Sequence, residues 1–366
     1  MKPLLANNVR NNQVLLTAFI ATFLLAISAT GDLPAGNGSL SSQYIALSIQ
    51  GDLQDAAGLF RAAEPLSETD LELKREFETR FLEQPHPEYV QAPGESLADD
   101  VAMAFRSYWR HGLMGSLEHS ENYDQLDNHL DRIRISHTST SGPFVQDEND
   151  FPGKALNEAG IYYLDTTTPP YRDLFVWREQ RSARYRVQLT DQSTPVTVNF
   201  MNDFVVQGWK EFASLGLATT TGWVENGELY CVAWAYDTAT ENFAISYLKH
   251  EARHLVDLQK FPDMQPVELE YRAKLTELSY AHSSLKRILD DFRVKAAENP
   301  ESAHAMANWQ VTRDMYRELE GGEIPDNWSG WGYPDVGLVN RVARDCLLYT
   351  SPSPRDNQPH RVCRLL

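Results

Sequence analysis

Cysteine is nearly absent from this chain, with three residues in 366. Two of them fall in a C-terminal stretch set aside below, which leaves Cys231 alone. A single cysteine forms no intramolecular disulfide and no Cys-rich metal site. Positive charge is also scarce: 33 Lys and Arg stand against 51 Asp and Glu, a net charge of −18. That balance argues against nucleic acid and against anionic lipid surfaces as partners, without naming any other partner. There is no internal repeat. Beyond the linker-like "GDLPAGNGSLSS" there is no low-complexity tract.

Both ends of the chain read as something other than folded domain. Lys2 and Arg10 precede an uncharged apolar run, Val14 to Ala29, that ends in small residues. This is the layout of a secretory signal peptide over residues 1–29, or of an uncleaved N-terminal anchor, and it implies a secreted, periplasmic or cell-envelope protein. Residues 30–41 follow as a linker. At the other end, "CLLYTSPSPRD" (Cys346 to Asp356) and "VCRLL" resemble, in order and frame, a translated sequencing adapter. Residues 346–366 are therefore expected to be adapter-derived and to make few buried contacts. Setting aside both ends takes the net charge from −18 to −22, because Lys2, Arg10 and three tail arginines leave against one aspartate.

Roughly 315 residues remain, enough for one large domain or two ordinary ones. Residues 42–138 read as helical: Ser67 is placed to cap one helix, and Gly112 to stop the next. From "GIYYLD" through "DLFVWREQ", "RYRVQLTD" and "TPVTVNF" the runs become short, β-branched and aromatic, as in an antiparallel meander. "DFVVQGWKEFASLG" reads as a helix closed by Gly216, and "GELYCVAWAYD" as one more strand. The expected fold is α+β: a helical N-terminal part, an antiparallel sheet, then a helical C-terminal part. The two halves join within residues 139–153, with 154–345 as the second region, and nothing in the pattern prevents them from sharing one core.

The chemistry concentrates in "SYLKHEARHLVDL", residues 246–258. Thr238 and Glu241 have capping-box spacing, so a helix is expected to start there. On it His250 and His254 are four residues apart and project side by side, so both imidazoles reach one metal ion. Glu251 points about 100° away, within reach of a water at that metal. The next segment, "QPVELEYRAKLTELSYAHSSLKRILDDFRVKAAEN", reads as one long helix. Its stripe of Glu270, Ala273, Glu277, Ala281 and Ser284 is small enough for close approach of a neighbour. Glu277 lies too far along to share a metal with Glu270.

Over residues 243–280 these motifs, H-E-x-x-H and "EYRA", resemble the zincin metallopeptidases, and their gluzincin branch in particular. The resemblance implies a zinc-dependent peptidase with His250, His254 and Glu270 as ligands and Glu251 as general base. Glu268 competes with Glu270 for the third place. Asp257 is placed to orient a ligand imidazole, and Arg253, unusual for the family, to meet a substrate carboxylate. Tyr236, Tyr280, His282 and Tyr333 are the candidates for stabilising a transition state. The family also implies that the strand at 227–237 lies at a sheet edge and pairs with an extended peptide or protein substrate. The alternative is a non-catalytic envelope protein with a structural zinc or ligand-binding site.

Overall fold

The computed structural model describes residues 39–51, 53–63, 65–83, 96–141, 151–300, 302–326, 328–332 and 335–349. The apolar N-terminal run, Tyr333 and residues 350–366 lie outside them. The described residues form an α+β fold of twelve helices and one five-stranded sheet. Among them no helix is long and apolar enough to cross a membrane.

The N-terminal part comprises α1 (Leu40–Gln50), α2 (Leu53–Ala62), α3 (Glu68–Phe77, continued to Leu82 by a wider turn), α4 (Leu97–Leu113) and α5 (His119–Ser141). Serine hydroxyls cap three of these starts: Ser39, Ser67 and Ser96 accept from Ser42, Asp70 and Asp99 N–H respectively. The Ser39 cap corrects the linker, because α1 already begins at Leu40. Gly112 does not stop α4. It lies inside the helix, where a Cβ would meet the Tyr171 ring at 2.4 Å, so glycine is there for packing. α6 (Gly153–Glu158) leads into the sheet.

The strands are β1 (Tyr162–Thr168), β2 (Tyr171–Gln188), β3 (Ser193–Gln207), β4 (Gly222–Glu225) and β5 (Glu228–Val232), in the order β1-β2-β3-β5-β4. The runs "DLFVWREQ" and "RYRVQLTD" are one continuous strand, bulged at Val176/Trp177 and paired along its length with β3. That ladder also overrides the helical reading of "DFVVQ". Val206 pairs with Val176 and Gln207 with Phe175, so the helix α7 (Gly208–Ala213) starts only afterwards.

Two further expectations are corrected here. The sheet is mixed, since β3 and β5 run parallel. The strand expected over 227–237 is not an edge: β5 ends at Val232 and is hydrogen-bonded to β3 on one side and β4 on the other. The cause lies in the connections. A parallel neighbour needs a crossover, here the stretch 208–221 through α7 together with β4, which runs back antiparallel to β3 and β5. The crossover delivers β4 to the outside, and the two-residue Asn226-Gly227 turn, both at positive φ, folds β5 back into the gap.

After β5 the chain turns helical at Glu241. Thr240, not Thr238, caps this start, its hydroxyl accepting from Phe243 N–H. Glu241 instead accepts from the backbone N–H groups of His282, Ser283 and Ser284. Residues 243–249 form a wide turn, and α8 (His250–Lys260) continues from it. The long helix expected next is broken into α9 (Pro266–Tyr280) and α10 (Leu285–Val294). Glu241 binds the break from one side, while Asn340 Nδ2 donates to Leu278 O and Ala281 O from the other. Tertiary hydrogen bonds replace the intrahelical ones there. α11 (Ala303–Glu320) and α12 (Val336–Tyr349) complete the chain as described.

α8 lies between the sheet and the C-terminal helices. Val198, Phe200, Leu229 and Cys231 cluster with Phe243, Tyr247 and Leu255 on its sheet side. On the other side α9 to α12 pack around Leu275, Leu278, Ile288, Val311 and Val342. The N-terminal helices share an apolar cluster with the sheet through Leu174, Val176, Val206 and Trp209. α12 also corrects the low-burial expectation for the C-terminal stretch at its first residues. Cys346 and Leu347 are buried because they extend the stripe of Val339, Val342 and Ala343 in helical register.

Candidate metal centre

His250 and His254 stand one turn apart on α8, and Glu270 projects from α9 towards them. The two Nε2 atoms are 3.0 Å apart. Glu270 Oε1 is 3.2 Å from His254 Nε2, and Oε2 is 3.6 Å from His250 Nε2. Nitrogen and oxygen ligands about 2.0–2.1 Å from a tetrahedral metal stand roughly 3.3–3.4 Å apart, so this triangle has the size of a ligand set. Among the described residues this is the group of His, Cys and acidic side chains that could hold a metal ion. Glu268 is only half-buried, and the geometry brings Glu270 to the histidines instead.

The surrounding bonds fit a cation. His250 Nδ1 is 2.7 Å from Glu277 Oε1, which leaves Nε2 as its inward atom. Burial alone would lower the His250 pKa, but the Glu277 hydrogen bond and the charges of Glu277, Glu270 and Glu251 hold it above the ordinary imidazole value. Burial alone would likewise raise the Glu270 carboxyl. His304, 2.9 Å from Oε2, and His254 outweigh it and keep the carboxyl well below the usual range. Lys274, one turn along α9, lies 3.8 Å from the same oxygen. Three carboxylates thus converge with the histidines in a site where His250, Glu251, His254 and Glu270 are all buried. The His254 Nδ1 atom is buried without a hydrogen-bond partner.

Glu251 lies on the sheet side of α8. Burial raises the Cys231, Tyr236 and Tyr247 pKa values, and the Glu251 charge adds to each. Tyr236, one of the four groups named for a transition state, is therefore in electrostatic contact with Glu251. Its hydroxyl is 3.3 Å from Thr221 Oγ1. Tyr280 is half-buried beneath the Lys249 ammonium, His282 is exposed, and Tyr333 lies outside the described residues.

Two assignments change. Asp257 orients no imidazole: its carboxylate accepts from Arg253 Nη2 at 2.6 Å and from Arg272 Nε at 2.8 Å. Arg253 is not placed to meet a substrate carboxylate; it is buried between Asp257 and Asp191. A guanidinium in the interior needs carboxylates, and the β2–β3 turn and α8 supply them. The orienting group is Glu277, which its spacing from Glu270 rules out as a ligand of the same metal. Its place on the Glu270 stripe, two turns along, was the signal for it. His304, thirty-four residues beyond Glu270, carried no local signal.

The fold and site define an α+β protein with a buried three-donor group fit for a metal ion. No protein-family model, curated protein or solved structure matches the chain.

Proposed function

We propose that the protein is a zinc-dependent hydrolase of gluzincin type that acts on peptides and is exported from the cell. The observation that carries this reading is the convergence of His250, His254 and Glu270, with Glu277 on the far nitrogen of His250. Imidazole nitrogens with one carboxylate suit zinc, and three protein donors leave a fourth position for chemistry. Bound zinc would supply Lewis acidity that polarises a carbonyl and acidifies a water.

The chain's own groups do the rest. Glu251 takes a proton from the attacking water and returns it to the leaving amine. Its position beside His250, on the helix but outside the ligand set, suits that relay. Tyr236 is the neighbouring phenol available to donate a hydrogen bond to a developing oxyanion. The peptide as substrate, and export, rest on the family resemblance and on the apolar N-terminal run.

A second reading is favoured by one observation: every ligand is buried, as in closed structural sites. Metal analysis of the purified chain followed by Glu251→Gln separates the two. The hydrolase reading expects about one equivalent of zinc in both proteins. It also expects peptide turnover lowered about 10²- to 10⁴-fold in the variant. Zinc in both with no turnover in either supports the structural site, and no zinc in either removes both readings.

A further inference from the structure

The sheet face turned away from α8 carries a second feature. Side chains alternate along a strand, so Leu229 and Cys231 of β5 meet α8, while Tyr230 and Val232 point the other way. On that side Phe175, Trp177, Met201, Trp223 and Val232 form a small core. An open cleft of about 330 Å³ lies over it, lined from β1, β2, β4 and β5. β1 and β4 are the two outer strands of the sheet, so the cleft lies where its two edges curl towards each other.

The chemistry of the cleft is selective. Tyr162 is 39% exposed although its ring lies flat on buried Trp177, at 6.0 Å and 10°. An aromatic that stacks on a buried ring and keeps part of its own surface exposed is a platform. Polar groups surround it: the exposed amides Asn157 and Asn226, and Gln180, whose Oε1 accepts from Trp177 Nε1 and leaves its NH₂ for another partner. Among the described residues no Lys or Arg lines the cleft, which argues against phosphate and carboxylate ligands. Of its two acids, Asp165 is held by Arg172 through both oxygens, and burial raises the Glu225 carboxyl. The two-point Arg172 bond already meets the Asp165 charge, which weakens the case for a cation. What remains suits a neutral, hydroxyl-rich ligand with an apolar face. A pyranose has that character, with C–H groups on its ring face and hydroxyls around its rim.

We propose that this cleft is a carbohydrate-binding site for neutral oligosaccharides, separate from the metal centre and on the opposite face of the sheet. The site holds the glycan and does not cleave it. It stands independently of the hydrolase reading.

The test is calorimetric titration of the full chain with a panel of neutral oligosaccharides (chitotetraose, cellotetraose, maltotetraose), with tetramethylammonium and a lysine-rich peptide as cationic probes. Binding of at least one oligosaccharide is expected, weakened about tenfold or more by Tyr162→Ala. Glu225→Gln should leave it within about threefold, since the ligand is neutral. Glu251→Gln should not change it, which keeps the result distinct from the metal centre. No binding by any member of the panel, binding insensitive to Tyr162→Ala, or binding of the cationic probes alone would overturn the proposal.

Discussion

Glu277 shows how a residue outside the ligand set governs one inside it. Its oxygen at 2.7 Å from His250 Nδ1 fixes the tautomer that leaves Nε2 inward. Replacing it with Gln should weaken zinc binding about 10- to 100-fold, and His304→Ala, which removes one partner of the Glu270 carboxylate, should weaken it to a similar extent. Competition with a chelator measures both. The pH dependence has a definite sign. Zinc requires neutral His250, and the nearby carboxylates raise its pKa, so protons compete from above the ordinary value of about 6.5. Affinity therefore falls as pH drops, with an onset above that value in the native chain and at a lower pH in Glu277→Gln. An unchanged onset would mean that Glu277 does not act on His250 in solution.

Between elements, charge joins α8 to α9. Asp257 is fully buried and accepts from Arg253 on its own helix and Arg272 on the next, while Asp191 holds Arg253 from the β2–β3 turn. Removing the shared carboxylate leaves two buried guanidinium groups short of countercharge. Asp257→Asn should cost about 3–5 kcal/mol in urea unfolding. A loss below about 1 kcal/mol would show that solvent reaches the network. A second buried acid gives a pH test. Asp173 Oδ1 accepts from Leu174 N–H and from Trp209 N–H at the start of α7, yet burial pushes its carboxyl up to about 6. The native state then binds the proton more tightly than the unfolded chain. This contribution to stability is complete below about pH 4 and is lost as pH rises through about 6. Asp173→Asn keeps an acceptor and should remove that part of the slope, as measured by denaturation across pH 4–7.

For the whole molecule, the last described turn of α12 adds buried surface. Cys346 and Leu347 are buried, and Arg272 Nη1 donates to Leu347 O at 3.4 Å, whereas Leu348 and Tyr349 are exposed. Truncation after Asp345 should therefore be less stable than truncation after Tyr349 by about 2–4 kcal/mol, the scale of burying two small-to-medium apolar side chains. Equal stability of the two truncations would restore the expectation that this stretch contributes nothing. The same scale explains the site. α8 is enclosed by the sheet on one side and by α9, backed by the other C-terminal helices, on the other, so the candidate ligands are held by packing from both layers.

Local pattern in the sequence determined much of this. The α+β class followed from where apolar periodicity changes from helical to alternating. The His250–His254 pair followed from spacing along one helix, because residues four apart face the same way whatever surrounds them, while Glu270 followed from the resemblance of "EYRA" to the gluzincin pattern. Tertiary structure decided what depends on partners distant in the chain. β5 became an inner strand because the crossover through α7 placed β4 outside it. Residues 203–207 became strand because β2 offered a ladder, and the long helix broke because Glu241 and Asn340 bind its carbonyls and amides. Asp257 and Arg253 went to each other because buried charges take the nearest countercharge. His304 reached Glu270 only because α11 packs on α9. Spacing fixes direction within one element, and only packing fixes which elements meet.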